Sequence, residues 1–224
     1  MLKNFLLVAL RNLRRNTLYS VINISGLSVG IACSMLILLW VQDETSFDKF
    51  IPKAEKLHQV WVNAEFDGAI QSWNSVPLPT YEEMKTANAK IVNSCVMGWG
   101  AERLLTVGET RLMKQGYFAS KEFLQMFEFP LISGEHDQVM QDPSSIVISK
   151  EVALALFDRL DVIGEFIKVD DESTLQVTGV LEDVPQNSSF QFDYLIPWKH
   201  REAIQEWVVN NKTNWGNYSF QVFV

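Results

Sequence analysis

The chain has 224 residues, 47% hydrophobic and 21% charged, with 11 Gly, 7 Pro and 2 Cys. That composition excludes collagen-like and disordered classes, and two cysteines, Cys33 and Cys95, exclude a disulfide scaffold. A net charge of −8 excludes a general nucleic-acid binder, which needs a basic surface to neutralise phosphates.

The charge is unevenly spread. Residues 1–42 contain Lys3, Arg11, Arg14 and Arg15 and no acid, so all 27 acids lie from Asp43 onward with the other 15 basic residues. A small basic head therefore precedes an acidic body. In residues 1–17, Leu2, Phe5, Leu6, Ala9, Leu10 and Leu13 recur at helical spacing, with the basic side chains toward another face. This segment is either a helix lying in the cytoplasmic headgroup layer or an extension of the helix that follows.

Residues 18–41 form an uncharged apolar stretch. As a helix at ~1.5 Å per residue it is long enough to cross a bilayer core, which takes roughly 20 residues. Tyr19 and Trp40 stand near its ends, where amphipathic rings prefer the interface. Arg11, Arg14 and Arg15 before it, and Asp43, Glu44 and Asp48 after it, orient the N-terminus to the cytoplasm under the positive-inside rule. The body, residues 43–224, is then extracytoplasmic, and periplasmic at the inner membrane of a Gram-negative cell. The length of the stretch and the lack of an Ala-x-Ala site favour an uncleaved anchor over a signal peptide. Within it Gly26, Gly30 and Ser34 recur every four residues, a small-residue stripe that lets another helix approach closely. Gly26-Leu27-Ser28-Val29-Gly30 also matches the Gly-x-Ser-x-Gly of serine hydrolases, but that elbow needs a strand, a sharp turn and a helix, not an apolar run.

The body reads as mixed α and β. Strands are expected over 57–66, 91–100, 103–107, 111–118, 145–149, 166–169, 175–181, 191–197 and 218–224. Helices are expected over 80–89 with Thr80 as cap, over 121–127, from 150 through Phe157, and over 199–209. Asp170-Asp171-Glu172-Ser173 is read as a solvated hairpin turn, since no further ligands stand at calcium-loop spacing. The chain stops within an apolar strand pattern, Phe220-Gln221-Val222-Phe223-Val224, which leads us to expect the front portion of a longer protein.

No chemistry-bearing constellation emerges. His58, His136 and His200 are isolated, no zinc spacing or phosphate loop is present, and Cys33 and Cys95 fall in different regions. No catalytic, cofactor-binding or metal-binding residue is assigned, and any ATP hydrolysis would belong to a partner. Six of the seven tryptophans lie in the body, where core packing is the default expectation.

The ordered segments 9–16, 21–32, 43–48, 54–60, 164–169 and 177–190 resemble MacB/FtsX-type ABC transporter permeases, especially those of the Bacteroidetes type. They include Asp43-Glu44-Thr45-Ser46-Phe47-Asp48 and Val184-Pro185-Gln186-Asn187-Ser188-Ser189-Phe190. The resemblance implies an α+β fold: one transmembrane helix, then a MacB-like periplasmic core domain of two subdomains. It implies a homodimer or permease pair, a cytoplasmic ABC ATPase partner, and export or mechanical signalling as the work done. A periplasmic partner fits the same picture; nucleic acid does not. The alternative is a signal-anchored extracytoplasmic sensor or binding domain.

Overall fold

The computed structural model describes residues 2–224, which divide into two compact units, one ending at Phe47 and the other running from Asp48 to Val224.

In the first unit, α1 (Leu2–Arg15) ends on Arg14 and Arg15, cations that suit the negative end of the helix dipole. The helical path breaks at Asn16 (φ −118°, ψ 58°), so α1 is separate from α2 (Thr17–Glu44). The 28 residues of α2 are long and apolar enough to cross a membrane, and none of them is buried. The apolar face of a soluble core helix would be covered.

The second unit begins with a single 3₁₀ turn, Ala54–Lys56, and a hairpin of β1 (Val62–Phe66) and β2 (Ala69–Trp73). Asp67 (φ 51°) and Gly68 (φ 77°) occupy the left-handed region that a tight hairpin turn demands. Next comes α3 (Pro79–Ala87). Thr80 lies inside this helix and does not cap it: Pro79 takes the first helical position, where its fixed φ suits the helix and its missing N–H costs nothing. There follow β3 (Cys95–Met97), β4 (Ala101–Val107), β5 (Thr110–Ala119), α4 (Glu122–Phe127), β6 (Leu131–Ser133), β7 (Ser145–Ser149) and α5 (Lys150–Phe157). Ser149 ends β7 and caps α5, its side chain accepting from the Val152 N–H at 3.3 Å. The chain closes with β8 (Phe166–Val169), β9 (Ser173–Leu181), β10 (Tyr194–Pro197), α6 (Trp198–Ile204), α7 (Glu206–Asn210) and β11 (Gln221–Phe223). The expected helix over 199–209 is thus two short ones, with Gln205 extended between them.

The sheet closes on itself. β5 pairs β4, β4 pairs β8, β8 pairs β9, β9 pairs β7, β7 pairs β10, and β10 returns to β5 in parallel. β6 adds to β9, and β3 with β11 extends from β5. Strand alternation sorts residues between two cores. Ile146, Ile148, Tyr194 and Ile196 join one with Leu105, Phe118 and Ile167, whereas Val147 and Leu195 join a second with α4 and a group of phenylalanines. The expected α+β class is the one observed, with a barrel-like sheet at its centre. Tyr194 and Gly116 are register partners, and a Cβ at Gly116 would lie 2.4 Å from the Tyr194 ring, so only glycine admits that ring. Tyr194 Oη donates to the Ala101 carbonyl at 2.9 Å, reaching over Gly116 of β5 to the neighbouring strand β4.

The second core is aromatic. Phe123, Phe127, Phe129, Phe190 and Phe223 meet with ring centroids 4.7–6.3 Å apart, mostly edge to face, an arrangement that adds about 0.5–1.5 kcal/mol per pair beyond area burial. Tryptophan does not follow its expectation. Trp198 is buried, but Trp61, Trp99, Trp207 and Trp215 are exposed, because phenylalanine and aliphatic residues already fill both cores.

Candidate functional site

Gly26, Gly30 and Ser34 lie on α2 four residues apart, and all three are exposed. A Cβ added at either glycine meets nothing within 4 Å. Ser34 Oγ donates to the Gly30 carbonyl at 2.9 Å, so the hydroxyl is satisfied within the helix and the stripe stays smooth. Arg11, Arg14 and Arg15 occupy the last turns of α1 and are exposed.

The stretch entering the second unit is fastened at successive points. Asp48 adopts a left-handed φ of 56°, and its N–H donates to the Asn187 carbonyl at 2.9 Å. Its carboxylate accepts from the Ser189 N–H at 2.8 Å and from Ser189 Oγ at 2.5 Å. Hydrogen bonds to a carboxylate are the stronger kind, and the two together fix its orientation. Ile51, 5% exposed, belongs to the aromatic core, and Phe50 packs on Phe129 at 5.7 Å. Lys53 pairs with Glu128 at 2.7 Å on the surface. Farther along, His58 and Val224 exchange backbone hydrogen bonds of 2.8 and 2.9 Å, and the Val60 N–H donates to the Val222 carbonyl at 2.9 Å. The structure therefore joins Asp48 and Ser189, which belong to the distant segments 43–48 and 177–190 singled out by the family resemblance. Their pairing could not be read from either segment alone. A cavity of about 470 Å³ lies beside this entry stretch, against β3, β5 and β11.

Two charged groups sit deeper. Arg201 stacks on Trp198, Trp207 and Phe118, with its guanidinium carbon 5.0, 5.2 and 5.5 Å from their centroids. Its Nε donates to Gln205 at 3.0 Å, but Nη1 is buried without a partner. Burial, with Arg103 nearby, pulls its pKa down to about 10. Glu122 is buried and accepts from Tyr81 Oη at 3.0 Å, with Lys85 Nζ 3.5 Å from its other oxygen. Burial chiefly pushes the Tyr81 hydroxyl up to about 12.

The acidic turn between β8 and β9 is more than a solvated turn. Asp170 accepts from the Leu104 N–H at 2.9 Å and pairs with Arg103, clipping the turn to β4. Among the described residues no group of three or more His, Cys, Asp or Glu side chains is placed to hold a metal ion.

An exposed apolar helix leading into a barrel-centred α+β domain defines the class of the molecule. The chain belongs to the MacB-like periplasmic core domain family, whose model matches residues 20–224. It carries the periplasmic core domain of a MacB-type ABC transporter permease, a kind of permease that works with ABC ATPases. Two solved structures share the fold. A domain assigned to a permease protein of Porphyromonas gingivalis is 22% identical with a TM-score of 0.63, over 78% of this chain and 74% of that one. The periplasmic region of MacB from Actinobacillus actinomycetemcomitans is 15% identical with a TM-score of 0.51, over 79% of this chain and 78% of that one. No curated protein matches the chain.

Proposed function

We propose that this chain is the N-terminal part of an inner-membrane permease subunit that couples ATP hydrolysis by a cytoplasmic ABC ATPase to movement of its periplasmic domain, for export or mechanical signalling. Family membership over residues 20–224 is the observation that carries the reading. In it, residues 1–17 form a basic cytoplasmic segment, residues 18–41 cross the membrane and residues 43–224 are periplasmic. Arg11, Arg14 and Arg15 hold the N-terminus inside. Gly26, Gly30 and Ser34 seat a neighbouring helix of the same permease or of its dimer mate, consistent with the open space over both glycines. The fastening of Asp48 to Asn187 and Ser189 gives the domain a stiff point of attachment, as transmission of a helix displacement requires.

The experiment is purification of the gene's full product from membranes, with identification of any co-purifying ATPase, in parallel with a Gly26→Leu, Gly30→Leu double variant. Recovery of an ABC ATPase with the native protein, and loss of assembly in the variant, are expected. No ATPase with the native protein would overturn the coupling. Unchanged assembly and transport in the variant would overturn the packing role.

A further inference from the structure

The cavity beside the entry stretch has features that helix coupling leaves unused. At about 470 Å³ it falls within the range of small-molecule sites. Its floor is the apolar core: Ile51, Met97, Phe127 and Phe223 are each under 9% exposed. Its lining also includes three neutral amides, Gln59, Asn74 and Gln221. Among the described residues none of these side chains has a hydrogen-bond partner, although Gln221 is only 8% exposed. Gln59 and Asn74 are half-buried and the Gln221 amide still reaches solvent, so all three are free to offer donors and acceptors to a polar ligand in the cavity.

The rim adds a flat aromatic surface. Trp99 lies between Gly98 and Gly100, is 51% exposed and lines the cavity. Gly100 is bare for a reason: a Cβ there would fall 2.2 Å from Gln115 Nε2 and 2.8 Å from the Tyr117 ring, so Tyr117 lies directly against the backbone.

The lining selects among ligands. No cation lines the cavity and its one charged residue is Asp48, so an anionic head group finds no counter-charge. The Asp48 carboxylate is engaged by Ser189, so it offers little to a cation. A wholly apolar ligand would leave the amides and the indole N–H unpaired. What remains is a neutral molecule with an apolar face and several hydroxyl groups around its edge. We propose that this cavity binds a neutral saccharide, with a sugar face stacked on Trp99 and hydroxyls bonded by Gln59, Asn74 and Gln221. This binding does not depend on the coupling reading.

The test uses the full chain in lipid nanodiscs, free of sugar-headed detergent. Saturation-transfer NMR and calorimetry follow glucose, N-acetylglucosamine and their short oligomers, and a second arm measures co-sedimentation with insoluble cell-wall glycan. Saturable binding in the first arm assigns a soluble sugar, and binding confined to the second assigns a polymer; either supports the chemistry. Trp99→Ala and Asn74→Leu, both at accessible positions, should each weaken binding roughly tenfold without lowering the unfolding temperature. Trp99→Tyr keeps a platform and should stay within about threefold of the native protein. Absence of binding in both arms, or binding indifferent to Trp99→Ala and Asn74→Leu, overturns the proposal. So does occupancy by a fluorescent fatty acid where no sugar binds.

Discussion

Replacing Ile51 by alanine tests whether the entry stretch is anchored by the aromatic core. Ile51 is 5% exposed and its N–H donates to the Asp48 carbonyl at 3.0 Å, so core and hairpin-like turn share this residue. The substitution removes three carbons. At about 0.8 kcal/mol per buried carbon the transfer loss is about 2.4 kcal/mol, and little cavity cost is added because the site borders open space. If the anchor opens locally, its amides should exchange faster by roughly 30- to 150-fold, the equivalent of about 2–3 kcal/mol. Hydrogen exchange read by mass spectrometry on peptides covering residues 48–57 measures this. Peptides from β7 and β9, whose paired strands lie in the closed ring, serve as the internal reference and should keep their protection. Unaltered exchange over 48–57, or an equal loss in β7 and β9, would refute the reasoning. The first result would mean that Ile51 anchors nothing; the second, that the entry stretch opens only when the whole domain does.

Other perturbations reach other parts of the fold. Gly116→Val drives a side chain into the Tyr194 ring 2.4 Å from where its Cβ would lie, and it threatens the Tyr194–Ala101 hydrogen bond. The expected loss is about 2–4 kcal/mol, seen as a drop of roughly 5–15 °C in unfolding temperature, and a drop below about 1 °C would contradict the close approach. For Glu122, burial pulls the carboxyl pKa up, but hydrogen bonds from Ser120 and its own backbone N–H, with Lys85 and Tyr81, outweigh burial and hold it below the ordinary value of about 4.5. A depressed folded pKa means its stabilisation is complete above the unfolded value and fades as pH falls through the folded one. Native protein and Glu122→Gln should therefore converge in stability as unfolding is followed down through about pH 4, whereas a constant gap would exclude that role. Arg201→Met keeps the packing against Trp198 and Trp207 and removes the unpartnered Nη1; chemical denaturation should register a change within about 1 kcal/mol of the native protein. A loss above about 3 kcal/mol would show that the cation itself is needed.

The local signals were legible where residues act on near neighbours. The apolar run at 18–41 appears as α2, and Ser145–Ser149 with the helix after it appears as β7 and α5, because alternation and helical spacing are properties of the segment itself. The β8–β9 hairpin follows from two apolar runs across an acidic turn. Asp67-Gly68 carried an equally good hairpin signal, yet β2 was not anticipated, since Ala69–Trp73 is largely exposed and lacks a strong apolar alternation. β6 is three residues long and exists because β9 offers it an edge. Ring closure and the cavity were illegible for a common reason. β10 meets β5 across 78 residues of sequence, and the cavity draws on Asp48, Asn74, Trp99, Ser189 and Gln221, so neither leaves a mark within a sequence window. The exposed tryptophans show the same limit, because whether a large ring is core or surface depends on which other residues claim the interior first.

The parallel return of β10 onto β5 also dictates an order of assembly. A chain delivered N-terminus first must hold Gly116–Ala119 without its β10 neighbour until Tyr194–Pro197 has emerged. The barrel therefore cannot nucleate early and grow outward. It completes late and cooperatively, and until then that margin of β5 is open to mispairing.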